Sequence, residues 1–105
     1  MRGQQWSADE VILAMEFFHT CPEAMTTDAH ATCQAVAREI GRSAGGLDGI
    51  IRNIKNVETQ TAGFPHASQL VHEMVEKYRN NLDQLRADAA AIRQRRGLPP
   101  LNCRE

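Results

Sequence analysis

The chain has 105 residues, of which 42% are hydrophobic and 24% charged, and its formal net charge is −1. This length supports one small domain, and no apolar stretch approaches the roughly 20 residues that cross a bilayer. The composition therefore predicts a soluble globular protein with no membrane partner.

The first residues and the cysteines bear on the compartment. Met1 to Gln5 lack the apolar run and the cleavage site of a secretory signal, which favours the cytoplasm. Cys21, Cys33 and Cys103 are an odd number at irregular spacings, which is typical of reduced thiols rather than of a disulfide framework. We therefore expect a cytoplasmic protein that needs no disulfide.

Charge is unevenly distributed along the chain. Residues 1–37 hold one arginine against five acidic residues, a balance of −4. Residues 38–57 hold four basic residues against two acidic ones, a balance of +2, and the remainder holds seven against six, a balance of +1. Because nucleic-acid binding depends on local charge, the middle segment is a candidate nucleic-acid surface in spite of the net charge.

The first predicted helix begins after Ser7. Ser7 followed three residues later by Glu10 matches a capping box, and apolar residues recur over 11–18 with helical spacing. Pro22 disfavours helix in the residue before it, and residues 23–27 are predicted to form a connecting loop.

The second and third predicted helices form a helix-turn-helix over about residues 28–56. Helix 2 begins near Asp28 and ends at Gly41, a residue type that readily adopts the left-handed cap, and Ser43 caps helix 3. A long loop is predicted over residues 57–67. The periodicity of helix 3 directs Leu47, Ile50, Ile51 and Ile54 inward and leaves Asp48, Arg52, Lys55 and Asn56 on the opposite face.

The last predicted helix runs from Ser68 to about Arg96 and would be ~42 Å long at 1.5 Å per residue. Its apolar residues follow a heptad repeat that a domain of this size is not expected to cover completely. We therefore predict a domain over residues 1–80, followed over 81–105 by an extension of the last helix that pairs with another chain or leads to a further domain. The predicted seam of that extension consists of Leu82, Leu85, Ala89 and Ile92.

Several segments, taken in order, resemble a known family. They are WSADE at 6–10 with LAME at 13–16, IGRSAGGL at 40–47 with Asn53 and Ile54, and GFPHASQL at 63–70. Together they resemble the helical N-terminal domain that precedes the nuclease domain in many bacterial HNH-type, restriction-like endonucleases. The resemblance spans about residues 6–80 and implies DNA recognition, with cutting done by a separate C-terminal domain.

The sequence departs from that family in two places. Ile50 stands where a basic residue is common, which is expected to weaken or re-aim the DNA-contacting face. No His-Asn-His set with metal-ligand spacing follows before Glu105, so the resemblance implies a DNA reader without the catalytic domain. We accordingly expect no enzymatic activity, no catalytic residue and no cofactor.

Other arrangements of polar residues are weaker candidates for chemistry. A zinc site from His19, Cys21, His30 and Cys33 matches no common zinc motif, and Cys33 falls on the predicted core stripe. Asp9 and Glu10 as paired carboxylates lack a third group, and Glu10 is already explained by the cap. We therefore predict no metal site.

The sequence pattern predicts a small all-α, four-helix domain that contains a helix-turn-helix. The resemblance implies that this domain binds double-stranded DNA through helix 3, with a homodimer or a tethered nuclease domain as a further partner. The alternative is a protein-interaction or dimerisation module that works through the long last helix. The predicted DNA contacts are Arg42, Ser43, Gly45, Gly46, Asp48, Arg52, Lys55 and Asn56.

Overall fold

Five helices build the fold in the ranges that the computed structural model describes, residues 6–21, 31–59 and 69–101. In chain order they are α1 (Ala8–Thr20), α2 (Ala31–Ile40), α3 (Ala44–Thr59), α4 (Gln69–Tyr78) and α5 (Leu82–Arg96). These ranges contain no strand, which confirms the small all-α fold. The predicted number of helices was four, and the fifth arises because the last predicted helix is broken.

The first helix is the centre of the domain. It begins with the predicted capping box, in which the Glu10 amide donates to Ser7 Oγ at 3.2 Å and the Ser7 amide donates to Glu10 Oε1 at 2.9 Å. Every residue from Val11 to Phe17 is buried, and α1 contacts each of the other four helices. A helix that is apolar on all sides is stable only inside such a bundle.

Short local motifs set the junction between α2 and α3. Gly41 has φ +89°, and the amides of Gly41 and Arg42 donate to the carbonyls of Arg38 and Ala37, as in a Schellman motif. Ser43 then caps α3, its Oγ accepting from the Gly46 amide at 3.0 Å. Both predicted caps are confirmed.

Some predicted boundaries differ or cannot be compared. The loop predicted from residue 57 is wrong at its start, because α3 continues to Thr59 and Val57 packs in the core. The predicted start of helix 2 near Asp28, the loop at 23–27 and the start of the last helix at Ser68 lie outside the described residues.

The predicted continuous helix from residue 68 to 96 is wrong. Asn80 has φ +61°, and the Asn81 amide donates to the Tyr78 carbonyl at 2.9 Å, so the chain turns between α4 and α5. Asparagine enters the left-handed region more readily than other residues with a Cβ, which explains why the break falls here. The longest dimension of the molecule is 35 Å, shorter than the ~42 Å that an unbroken helix would need.

The break brings both halves of the heptad stripe into one core. Leu85 and Ala89 are fully buried and Ile92 is 4% exposed, whereas Leu82 is half-buried. The seam that we expected to pair with another chain or lead to a further domain is therefore largely covered by the protein's own helices, chiefly α1. The core also continues across residue 80, where a domain boundary was predicted.

The cysteines differ from the expectation of reduced thiols. Cys33 is a thiol buried in the core, but Cys21, which follows the last turn of α1, is disulfide-bonded. Cys103 lies outside the described residues. Spacing along the chain could not indicate this bond, because disulfide formation depends on which segments meet in space.

A short hydrogen bond joins α4 to α5 beyond the turn. Tyr78 Oη donates to Asp88 Oδ2 at 2.5 Å, and Gln84 Nε2 donates to Asp88 Oδ1 at 2.7 Å. Burial, reinforced by the Asp88 carboxylate, raises the pKa of Tyr78. The hydrogen bond from Tyr78, followed by that from Gln84, lowers the pKa of Asp88 below its ordinary value.

The lowered pKa of Asp88 predicts a pH-dependent contribution to stability. A carboxylate whose pKa falls on folding stabilises the protein above its unfolded-state pKa, and this contribution is lost as the pH falls through the folded-state pKa. We therefore expect Tyr78→Phe to destabilise the protein at about pH 6 and to have a smaller effect at about pH 2.5. Urea unfolding of both proteins at the two pH values tests this, and an equal effect at both would contradict it.

Candidate nucleic-acid interface

The inner side of α3 packs in the hydrophobic core and so fixes the position of the helix. Leu47 and Ile54 are fully buried, and Ile51 and Val57 belong to the same core. Ile50 is also buried, at 8% exposure, which confirms its predicted inward position. In this chain Ile50 contributes to packing on the side away from solvent.

The opposite side of α3 forms a continuous surface, which we call the outer face. At 100° per residue its members lie within about a third of a turn of one another. Gly45, Gly49, Arg52 and Lys55 are exposed, while Asp48 and Asn56 are half-buried. The outer face consists of Gly45, Asp48, Gly49, Arg52, Lys55 and Asn56.

Hydrogen bonds within α3 organise the polar members of the outer face. Arg52 Nε donates to Asp48 Oδ2 at 2.9 Å, and the Arg52 side chain is 72% exposed. Asn56 Nδ2 donates to the Arg52 carbonyl at 2.7 Å. An exposed pair such as that of Arg52 and Asp48 contributes at most about 1 kcal/mol to stability, so the guanidinium can exchange its partner at little cost.

The glycines leave the N-terminal half of the outer face without bulk. A Cβ added at Gly49 would meet nothing within 4 Å, so packing inside the domain does not require glycine there. Gly46 is also exposed, and a Cβ added there would lie 3.2 Å from Ser43 Oγ. The absence of a side chain at Gly46 therefore leaves room for the Ser43 hydroxyl that caps α3. A glycine inside a helix costs about 1 kcal/mol relative to alanine, and it allows a partner to approach the backbone closely.

Arg42 was predicted to contact DNA, but its side chain is directed toward α1 and is not part of the outer face. Its Nη2 donates to Glu10 Oε1 at 2.8 Å, and its guanidinium lies 4.7 Å from the centroid of the Trp6 ring. The side chain is only 15% exposed. Burial acts to raise the pKa of Glu10, but hydrogen bonds from Arg42 and the Ser7 amide outweigh it and lower the pKa. Arg42 thus joins the α2–α3 junction to the start of α1.

One exposed cation of the second helix was missed at the sequence level. Arg38 is exposed and lies in the last turn of α2, two residues before the final residue, Ile40. Two features of the sequence indicated that Arg38 is an exposed cation. It lies within the basic segment 38–57, and its apolar neighbours Val36, Ala37 and Ile40 face inward. Ser43, by contrast, was correctly placed as a cap, but its Oγ is already an acceptor for Gly46.

A buried ionic cluster was also missed. Arg93 lies in the last turn of α5 and is 3% exposed. Its Nε donates to Glu16 Oε1 at 2.9 Å, and its Nη1 donates to Glu39 Oε1 at 2.7 Å and to the Pro99 carbonyl at 3.0 Å. Burial acts to lower the pKa of Arg93, but the hydrogen bonds to Glu39 and Glu16 raise it overall. The cluster ties α1, α2 and α5 together.

Those residues considered for zinc that the structure describes have other surroundings. His19 Nε2 lies 2.7 Å from Glu58 Oε2, Cys21 is disulfide-bonded and Cys33 is a buried core thiol, whereas His30 lies outside the described residues. In the described part of the chain, no group of three or more His, Cys, Asp or Glu residues is placed to hold a metal ion. Within the same ranges, no helix has the length and apolar character needed to span a bilayer.

Comparisons of the chain with protein families, with curated proteins and with solved structures find no match.

Proposed function

We propose that this chain is a non-catalytic module that binds double-stranded DNA through the outer face of α3. The observation that carries the proposal is the combination, on one exposed helix face, of two cations with a glycine-lined backbone. Arg52 and Lys55 supply the charge, and Gly45 and Gly49 leave room for close approach. A helix of this kind fits the major groove of B-form DNA, with α2 crossing near the phosphates in a helix-turn-helix arrangement.

The residue types divide naturally between positioning and reading. Lys55 and, from α2, Arg38 are exposed cations suited to phosphate oxygens, which set register without reading sequence. Arg52 can form a bidentate contact with guanine once it leaves Asp48, and Asn56 can do so with adenine. Because Arg42 is engaged with Glu10 and Trp6, we do not include it among the contacts.

The resemblance to the recognition domain of HNH-type endonucleases supports the same proposal. The resemblance implies that the chain reads DNA for a nuclease domain in a restriction-like or mobile-element system. One copy of α3 makes few base contacts, so tight binding needs a second copy or a tethered partner domain that raises the effective concentration.

Neutralising the outer face tests the proposal. We expect Arg52→Gln with Lys55→Gln to weaken duplex binding at least tenfold and to lower the slope of log affinity against log salt by up to about two. Fluorescence anisotropy against a pool of random labelled duplexes, with and without base modification, provides the measurement. Circular dichroism establishes that the variant remains folded.

The matched control carries the same loss of charge on another helix. Lys77→Gln with Arg79→Gln changes one cation in the last turn of α4 and one in the turn that follows it, both outside the outer face. We expect this control to alter affinity by less than about threefold through long-range electrostatics alone. Equal losses in the two double variants, or duplex binding unchanged by the first, would contradict the proposed face.

Gly49→Ala separates stability from binding. Because the added methyl group meets nothing within 4 Å, the variant should unfold with a free energy up to about 1 kcal/mol higher than that of the parent. The same methyl group should weaken duplex binding if DNA approaches the α3 backbone. Chemical denaturation and the anisotropy assay measure the two effects, and a stabilised variant with unimpaired binding would argue against close approach at Gly49.

The alternative function is protein interaction through the last helix, and most of the apolar surface proposed for it is buried inside the domain. Leu85, Ala89 and Ile92 are covered inside the chain's own core, and only Leu82 of the predicted seam is partly accessible. No observation in the described residues favours this alternative over DNA binding.

A further inference from the structure

A cavity of about 550 Å³ lies between α1, α5 and the segment that follows α5. Glu16 and Thr20 line it from α1, and exposed or half-buried apolar residues line it from α5 and the tail. Its volume falls within the range of small-molecule sites, roughly 300–1,000 Å³. The apolar lining consists of Ala90, Leu98, Pro100 and Leu101.

The cavity wall contains an unsatisfied buried donor. Arg93 lines the cavity and is 3% exposed, and its Nε and Nη1 are bonded to Glu16, Glu39 and Pro99. Its Nη2 is buried and has no hydrogen-bond partner among the described residues. Unsatisfied buried donors are uncommon because a hydrogen bond left unmade in the interior is destabilising, and such a group attracts an acceptor oxygen.

The charges around Arg93 define which acceptor fits. One guanidinium already faces two carboxylates, so Arg93, Glu16 and Glu39 together carry a net charge of −1. A further carboxylate or phosphate at Nη2 would be repelled by Glu16, which lines the same cavity, while the positive charge of Arg86, also in the lining, is exposed and screened by solvent. An uncharged carbonyl or amide oxygen satisfies the free N–H without that repulsion.

We propose that this cavity binds a small, uncharged molecule with an apolar body and a carbonyl or amide oxygen, which accepts a hydrogen bond from Arg93 Nη2. The apolar body packs against Ala90, Leu98 and Leu101, and the mouth is polar because Arg86 and Gln94 lie at the exposed edge of α5. Nη2 is itself buried, so the proposed hydrogen bond requires a neighbouring side chain to be displaced.

Hexanamide and hexanoate form a matched pair of probes, since they share a carbon chain and differ in charge. In a titration followed by ¹H–¹⁵N correlation spectra of the full chain, hexanamide should shift the amide signals of Thr20, Ala90 and Leu98 with about millimolar affinity. Hexanoate should bind at least tenfold more weakly. Absence of these shifts with hexanamide, or tighter binding of hexanoate, would overturn the proposal.

Two variants test the donor and the space separately. Glu16→Met with Arg93→Met removes the donor and its buried partner together, and it should weaken hexanamide binding at least tenfold in a chain shown to be folded by its spectrum. Should that variant not fold, Ala90→Trp tests the space instead. Ala90 is exposed, so the substitution should be tolerated, and the indole should fill the cavity from its rim and weaken hexanamide binding. Affinity unchanged in whichever variant is folded would refute the site. Both tests are independent of DNA binding.

Discussion

Replacing Arg93 with methionine is expected to lower the free energy of unfolding by about 3–5 kcal/mol, because it leaves two carboxylates without their cation. Glu16 is 9% exposed and cannot recover its hydration without rearrangement of α1. The side chain of Glu39 is 24% exposed and can be rehydrated more easily, which places the effect toward the lower end of the range. Chemical denaturation followed by circular dichroism provides the measurement.

Two comparisons distinguish loss of the buried cluster from a general effect of removing an arginine. Arg95 lies two residues away, its side chain is 61% exposed, and it pairs with Asp9, so Arg95→Met should cost no more than about 1 kcal/mol. Glu16→Met with Arg93→Met removes the most buried carboxylate along with its cation and should regain most of the lost stability. An equal cost for Arg93→Met and Arg95→Met would show that the cluster contributes little.

Leu85→Asp should abolish cooperative folding. Leu85 is fully buried, so the substitution removes about 2–5 kcal/mol of packing and places a carboxylate in the core without a partner. The total approaches the whole stability of a domain of this size, about 5–15 kcal/mol. Thermal melts should show no transition, and light scattering should show an unfolded or aggregated chain.

Leu82→Asp is the matched substitution one helical turn earlier. Leu82 is half-buried and is the first residue of α5, where a carboxylate interacts favourably with the helix dipole, so this variant should remain folded. If the heptad stripe were instead a seam between two chains, both variants would give folded monomers from a dimeric parent. A folded, monomeric Leu85→Asp protein would therefore contradict the packing described above.

Most of the local signals made the fold predictable. Ser7 with Glu10, Gly41 and Ser43 set helix ends through bonds spanning only three to five residues, and all were recognised from the sequence. The break at Asn80 was equally local but was overlooked, because the apolar heptad repeat continued across it. Two adjacent asparagines in a helix lacking glycine or proline were the available signal.

The candidate surfaces were only partly predictable. The outer face of α3 followed from periodicity, since a helix buried through Leu47, Ile51 and Ile54 must expose the residues opposite. The engagement of Arg42 with Glu10 did not follow, because the two residues are 32 positions apart. Nor did the site at Arg93, whose carboxylate Glu16 is 77 positions away, although a glutamate within an apolar run was a hint of a buried partner.

By itself, the sequence determined an all-α chain, the caps that begin or end three of its helices, and which sides of α3 are apolar and polar. These properties depend on residues only a few positions apart, so the local amino-acid sequence is enough to predict them. Tertiary structure alone decided that both halves of the heptad stripe pack within one core, and which arginines remain on the surface. It did so because burial and charge pairing depend on segments distant in sequence, and α1 brings those segments together.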